Sequence, residues 1–526
     1  MSRNRHLIRS SLLVLFLYVL EKFTGLGKLF LMTRLFGTGV EADAFTAANQ
    51  LPELFLSTLT GGAIAAAFIP VYSAYLTSKK TAQAEALGNT VFTLTVLVVG
   101  GVCALAALAA PWISRVLLVP EFSPAQQMLT AELMRIVLLS SVIVGVSSLF
   151  SSLLQAHQHF LAPALALSLI DLGQIFGLYV LAPRWGIHGV AWGSVIGASL
   201  LLATQLPALW HKRIRLRPAI ALGLSGSREM AHLIWPRMVT LGVVQAVDLV
   251  FLRLASPLPA GSITAFFYAM LVMVAMPKSL FTGAITAVMF PTLAEEYNAG
   301  RVDAIQRTLF AGLRAAWLLV IPSAVGLLAL GIPAVAFLFQ RGAFDGRSTA
   351  LVYGLMAAFA LRLVTDTSQD ILSMGFYARH NTRIVMWANL GWAVLNVGLS
   401  FLLVKPYGIV GLAWATTLAS AALALALYWL NRQMNSLPEE EKGLLRALLR
   451  TLLACGGMAA LIAGVDRLGL EPLPYLAVSI GAGLFVYAGL YLLLGGRELH
   501  FVWRHFMGRN VEEETDEPTA TVRYRG

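Results

Sequence analysis

The sequence predicts an all-α polytopic membrane protein with fourteen transmembrane helices, arranged as two parallel six-helix repeats and two further C-terminal helices. Three observations carry that prediction. Hydrophobic residues make up 58% of the 526-residue chain and charged residues 12%, about half the share of charge in an ordinary soluble chain. The apolar residues fall in runs of roughly 20, the length of helix that crosses a ~30 Å hydrocarbon core. Two motifs recur along the chain at nearly one offset, the mark of an internal duplication. The first two observations exclude a soluble enzyme, a disordered chain and a disulfide-stapled secreted scaffold. Cys103 and Cys455 each sit inside an apolar run, so they read as buried packing residues rather than a redox or metal framework.

In order, the runs span 9–36, 41–76, 88–110, 130–155, 160–182, 187–210, 229–255, 262–293, 305–331, 348–377, 383–404, 408–431, 444–464 and 474–495. The first begins like a signal peptide, with Arg3, Arg5 and Arg9 before Ser11–Leu20. No small-x-small cleavage pattern follows, and we expect a retained first span. The first, second and eighth runs are long enough to be tilted or broken. Each holds a breaker: Gly25 and Gly27, then Pro52 with Gly61-Gly62, then Pro277 with Gly283. Breaks inside a membrane are tolerated where the freed backbone faces protein or a wet cavity.

Charge sets the orientation. Of 38 Lys and Arg, 23 fall in the loops and tails on the N-terminal side, including Lys79, Lys80, Lys212, Arg213, Arg215 and Arg217. Six fall opposite: Arg115, Arg184, Arg341, Arg347, Lys405 and Arg467. The positive-inside rule then places both termini in the cytoplasm. The net charge of +11 is accounted for by these loops, and no nucleic-acid partner is expected.

The duplication follows from Gly62-Ala63-Ile64-x-Ala66-x-x-x-Pro70, which recurs as Gly283-Ala284-Ile285-x-Ala287-x-x-x-Pro291, an offset of 221. Gly186-Ile187-His188-Gly189-Val190-Ala191-Trp192 recurs as Gly408-Ile409-Val410-Gly411-Leu412-Ala413-Trp414, an offset of 222. Each repeat holds six spans. An even number makes the repeats parallel, the arrangement in which two bundles rock about a site between them. The expected organisation is an N-terminal lobe 1–220, a C-terminal lobe 221–440, two extra helices in 441–498 and a cytoplasmic tail 499–526.

Within the spans, ionised groups facing lipid would each cost about 2.5–3.5 kcal/mol or more. Arg34, Glu132, Arg135 and Arg253 lie near outer ends and can snorkel. Lys22, Lys28, Asp43 and Glu53 cluster near the breakers of the first two spans. Lys22 and Lys28 are close to two helical turns apart and can share a face. Two readings stand: a cationic cavity for a phosphorylated substrate with Asp43 and Glu53 as gating partners, or a structural ion-pair network. Asp366 and Asp370, one turn apart, read as a proton or cation relay or as partners packed against Arg362. No phosphate loop, His-Glu-x-x-His or paired-cysteine spacing is present, and we expect a transporter rather than an enzyme.

Several segments resemble one family. Phe36-Gly37-Thr38-Gly39-Val40-Glu41-Ala42-Asp43-Ala44-Phe45, Leu51-Pro52-x-Leu54, and Gly62-Ala63 with Ala67-Phe68-x-Pro70 look like the opening of the MurJ (MviN) lipid II flippases, within the multidrug/oligosaccharidyl-lipid/polysaccharide exporter superfamily. Leu338-Phe339-Gln340-Arg341-Gly342-Ala343-Phe344-Asp345 resembles a family outer-loop signature, and Phe376-Tyr377-Ala378-Arg379 an inner-loop one. The likeness runs from about residue 10 to 495. It implies transport of an undecaprenyl-diphosphate-linked peptidoglycan precursor from the inner to the outer leaflet of the bacterial cytoplasmic membrane. A cationic cavity would take the diphosphate head, the lipid tail would lie along the last two spans, and cell-wall synthesis proteins would be partners.

By the resemblance, Lys22 and Lys28 stand where the family typically has cavity arginines, and Asp43 matches its acidic residue. The chain departs from the pattern at Leu56 and Ser57, and at Tyr268-Ala269-Met270-Leu271, where family members carry arginine. Lys278, about two turns on, is the expected substitute. Some members hold sodium among the seventh, eleventh and twelfth spans, for which Asp248, Asn396 and Thr417 are the candidate oxygen ligands. No other cofactor is expected, and coupling is to sodium, to protons or to the membrane potential. The sequence thus reads as a lipid II flippase working by alternating access. The alternatives are a flippase for another lipid-linked oligosaccharide or exopolysaccharide precursor, and a non-transporting scaffold for envelope assembly.

Overall fold

The computed structural model describes residues 2–60, 62–214, 216–221 and 223–496, with no strand among them. The expected tail 499–526 and Arg215 of the basic loop lie outside the described residues. In chain order the helices are α1 (Ser2–Phe36), α2 (Val40–Phe55), α3 (Gly62–Thr77), α4 (Thr81–Leu108), α5 (Ala110–Trp112), α6 (Pro124–Ala156), α7 (Leu161–Phe176), α8 (Ala182–Trp185), α9 (Ile187–His211), α10 (Ser225–Ala255), α11 (Ser262–Met270), α12 (Met276–Asn298), α13 (Val302–Ala329), α14 (Gly331–Phe339), α15 (Gly346–Ala378), α16 (Thr382–Met434), α17 (Pro438–Asp466) and α18 (Pro472–Leu493).

Among the described residues, ten helices are long and apolar enough to cross a membrane, fewer than the fourteen spans counted in the sequence. One of the ten, α16, contains two of the sequence runs, parted at Gly408 where φ is 56° and ψ −135°. The helices α1, α2 with α3, and α10 are not among the ten. They carry Lys22, Lys28, Asp43, Glu53 and Asp248.

The expected breaks are only partly where the sequence put them. α1 runs through Gly25 and Gly27 without interruption. Both glycines instead face α7, where a Cβ would stand 3.4 Å from Asp171 Oδ2 and 3.7 Å from Ile175 Cδ1 respectively. Four π-helical segments occur, at Leu56–Thr60, Ile113–Leu118, Gly177–Leu181 and Leu271–Ala275. Each lies a few residues from a proline (Pro52, Pro111, Pro183 or Pro277). Proline has no N–H to close the regular ladder, and the helix shifts locally to wider turns.

The offset found in the sequence also appears in the backbone. α4 and α13 are both 28 residues long and start 221 residues apart; α6 and α15 are both 33 and start 222 apart. Positive φ recurs in the same register: Lys79 with Gly300, Gln158 with His380, and Gly186 with Gly408.

Packing divides the molecule along its length. At one end a single core joins both halves, drawing on Ala44, Ala47, Leu118, Met134, Leu252, Phe266, Phe359 and Leu412. Toward the other end the core separates. One part is built on Phe68, Tyr72, Leu87, Leu149 and Leu153, the other on Leu293, Leu309, Phe310, Ile371 and Phe376. We call these the joined end and the split end. The first turns of α10 lean on the first half at the split end, where the Gly226 N–H donates to Tyr75 Oη at 3.0 Å. A fourth core, with Ile321, Met458, Ile462, Tyr487 and Tyr491, holds α17 and α18 against α13. The two cysteines are buried free thiols.

Candidate functional site

The joined end is closed by a clasp between the two halves. α1 ends in a turn at Gly37, with φ 56°, and the carbonyl of Arg34 accepts the Ala343 N–H at 2.9 Å. A Cβ on Gly37, Gly261 or Gly342 would collide with the carbonyl oxygen of Ala343, Thr38 or Arg34 respectively. All three positions also have positive φ, which only glycine adopts without strain. Thr38 Oγ1 lies 2.9 Å from Ser348 Oγ, and the Arg341 guanidinium stands over Phe30 at 5.5 Å and Phe337 at 5.8 Å. Asp345 caps α15, accepting the Ser348 N–H and hydroxyl at 2.8 Å each. Those two donors hold its carboxyl below the usual carboxylate range.

Asp43 completes the clasp. Its side chain is 2% exposed. Oδ2 accepts the Gly261 N–H at 2.6 Å and Oδ1 the Thr264 N–H at 2.8 Å. Gly261 is the N-cap of α11 and has no side chain to satisfy the first turn, so a carboxylate from the other half supplies the cap. A negative charge there also meets the positive end of the helix dipole. Asp43 is thus placed as a latch between the halves, one helical stretch away from the charged cleft.

That cleft opens toward the split end. Lys28 Nζ is 2.6 Å from Asp171 Oδ1, Lys278 Nζ is 3.0 Å from Asp370 Oδ2, and Arg362 Nε is 3.3 Å from Asp366 Oδ2. Glu53 is accessible to water yet deeply surrounded by protein, and it interacts electrostatically with Lys28. Asp248 interacts electrostatically with both Arg362 and Glu53. The sequence of neighbours therefore runs from Asp171 and Lys28 in the first half, through Glu53 and Asp248, to Arg362, Asp366, Asp370 and Lys278 in the second. Within this set three cations meet five carboxylates. A hollow of about 360 Å³ beside it is lined by Thr286, Gln369, Asp370, Ser373, Tyr377 and Asn389, among others.

Of the residues singled out in the sequence, Lys28, Glu53, Asp248 and Lys278 belong to this cleft. Lys22 lies apart, with its side chain 51% exposed and Nζ 3.1 Å from Glu21. The polar stripe of α15 is divided between partners. Asp366 is held by Arg362 and by the hydroxyl of Ser420, and Asp370 by Lys278. The pairing of Arg362 with Asp366 was one of the two readings of that stripe, whereas the pairing of Lys28 with Asp171, 143 residues apart, was not visible in the sequence.

Each candidate sodium ligand has protein partners of its own. Asn396 Oδ1 accepts from Ser400 Oγ at 3.3 Å while its Nδ2 is buried without a partner, a nitrogen that no cation would bind. Thr417 donates to the carbonyls of Ala358 and Ala413 at 2.9 Å each, and the charged neighbours of Asp248 are Arg362 and Glu53. No group of three or more His, Cys, Asp and Glu able to hold a metal is present among the described residues.

A family model described as "Lipid II flippase MurJ" matches residues 32–475. A "Probable lipid II flippase MurJ" of Bdellovibrio bacteriovorus is 27% identical over 474 residues, covering 88% of this chain and 90% of the relative. A "Lipid II flippase MurJ" of Burkholderia cenocepacia is 25% identical over 502 residues, covering 92% and 96%. Among solved structures, a lipid II flippase MurJ in an inward closed conformation superposes with a TM-score of 0.78 at 22% identity, covering 95% of this chain and all of that one. An inward-facing multidrug resistance transporter of the MATE family, in the MOP superfamily, gives 0.70 at 13% identity, covering 80% and 96%. At these identities the two structures speak for the fold.

Proposed function

The chain belongs to the lipid II flippase MurJ family, and we propose that it moves lipid II from the inner to the outer leaflet of the bacterial cytoplasmic membrane by opening its two ends in turn. The observation that carries this reading is the single core at the joined end dividing into two around a charged cleft. Such an arrangement is one of the two states that alternating access requires. The sequence's lobes 1–220 and 221–440 are the moving bodies, within fourteen spans in all, and the helices of 441–498 flank the path of the lipid tail. Lys79, Lys80, Lys212 and Arg213 lie at the split end, which favours a cytoplasmic split end, an external joined end and both termini inside.

In this scheme the diphosphate head enters the split end and meets Lys28 and Lys278. A lysine supplies a point charge without the bidentate fork of arginine, so orientation rests on the surrounding carboxylates Glu53 and Asp248. Lys22, at the mouth, adds long-range attraction. Once the split end closes over the head, the joined end opens by releasing Asp43 from α11. No covalent chemistry is involved. The drive is the membrane potential or a proton or sodium gradient acting on the surplus of cleft carboxylates.

The test is rescue of a bacterium depleted of its own lipid II flippase, with lipid II translocation measured in vesicles beside it. We expect rescue by the wild type, loss with Lys28→Ala at unchanged expression, and a smaller deficit with Lys22→Ala. A fully active Lys28→Ala chain would remove Lys28 from the cargo site, and a well-expressed wild type without translocation would sink the cargo assignment.

A further inference from the structure

Each cleft lysine is neutralised by a carboxylate from its own half. Lys28 on α1 pairs with Asp171 on α7 at 2.6 Å, and Lys278 on α12 pairs with Asp370 on α15 at 3.0 Å. We propose that Asp171 and Asp370 are built-in counter-anions that occupy the lysines in the empty cleft and must be displaced by the two phosphates of the cargo. The inference rests on the flippase reading and adds a control to the same site.

The geometry gives three reasons. Both pairs are partly sheltered, with side-chain exposures of 35% and 12% in the first and 29% and 41% in the second, so water alone does not neutralise the lysines. A lysine without its carboxylate would stand as an uncompensated charge in a sheltered cleft, which costs more than the pair does. The pairs are also internal to each half, so in the empty protein neither lysine draws the halves together at the split end. A diphosphate has two anionic centres. Exchanging Asp171 for one phosphate and Asp370 for the other replaces two internal pairs by one ligand that spans the cleft.

The exchange limits affinity as well. Cargo gains each lysine only by releasing a carboxylate, and that carboxylate is on hand to recover the lysine when the cleft reopens. A site with free cations would bind a diphosphate more tightly and release it more slowly. The counter-anions therefore set affinity low enough for turnover, and they keep the empty protein from closing the split end without cargo.

The test measures binding of inorganic pyrophosphate to the full chain in nanodiscs, with lipid II translocation run separately. Asp171→Asn and Asp370→Asn should each tighten pyrophosphate binding by about twofold to fivefold, the scale of a partly exposed ion pair. The gain should vanish in Lys28→Ala/Asp171→Asn and in Lys278→Ala/Asp370→Asn, since the cycle isolates each pair. Unchanged or weaker pyrophosphate binding in both folded Asn variants overturns the counter-anion role. Should one Asn variant fail to fold, the other half's pair decides. Tightened pyrophosphate binding in a chain whose wild type does not translocate lipid II would keep the counter-anions and remove the flippase reading.

Discussion

The joined end and the split end are made from the same two halves by different kinds of contact. At the joined end, backbone meets backbone. Gly37, Gly261 and Gly342 allow carbonyls and N–H groups of the two halves to approach without intervening side chains, and Asp43 grips the first turn of α11. At the split end the halves keep separate apolar cores, and the charges between them are satisfied within each half. The difference teaches that closure at one end is held by a few close-fitting polar contacts that exclude substitution. The other end is built to remain apart until something charged comes between.

The largest test of that contrast is Asp43→Ala. It strands two buried N–H groups, a loss of about 2–5 kcal/mol from the closed state. A cysteine at Thr46, labelled with a membrane-impermeant thiol reagent, should react more than tenfold faster in that background. No change in labelling would mean that apolar packing alone keeps the joined end shut. Next come the glycines. Gly261→Ala and Gly342→Ala combine strained φ with a backbone collision and should cost about 2–4 kcal/mol in thermal unfolding. At the split end Gly300, with φ 68° and open space around it, occupies the register position that Lys79 fills in the first half. Gly300→Lys should therefore cost only about 1–2 kcal/mol, the backbone term without a collision. Equal costs at the two ends would break the comparison.

Arg341→Ala removes two ring contacts from the clasp and should lower stability by only about 0.5–1 kcal/mol. The smallest effects are those of pH. Donors from Ser348 hold the Asp345 carboxyl below its ordinary value of 3.8, so its contribution is present above that value and lost as pH falls through the lower folded value. At the split end burial, then Lys212 and His211, hold His159 below its ordinary 6.5. The folded state resists its protonation, and stability falls as pH drops below about 6.5. His159→Gln should flatten the dependence between pH 7 and 5.5 without touching the acid limb set by Asp345. A wild-type unfolding temperature that is flat across pH 7 to 5.5 would count against the His159 assignment.

The helical fold was legible because a helix that crosses a membrane must write its length in apolar residues, and because the duplication kept its spacing. The pairings in the cleft between different helices, Lys28 with Asp171 and Lys278 with Asp370, were not. Lys28 could be read as a cavity cation or as a member of an ion-pair network because its partner lies on α7, and charge in a span says only that a partner is needed. Gly25 and Gly27 looked like breakers, but a helix tolerates glycine where a neighbour packs closely, as α7 does here. The octapeptide Leu338–Asp345 was recognised by likeness alone. Its work, a backbone clasp on Arg34 and Gly37, depends on residues some three hundred positions earlier.

Asp43 holds α11 by two main-chain N–H groups, and every amino acid except proline supplies that donor. Among related chains, the main-chain part of the contact leaves its written trace on Asp43 alone, while Gly261 is fixed by its own backbone and Thr264 by its hydroxyl. A search for correlated substitutions would see only the Thr264 hydroxyl answering Asp43 and would miss both main-chain donors, so it would understate the coupling where the two halves are bound most directly. A screen for second-site suppressors of an Asp43 variant would likewise have one side chain on the first turn of α11 to work with, that of Thr264.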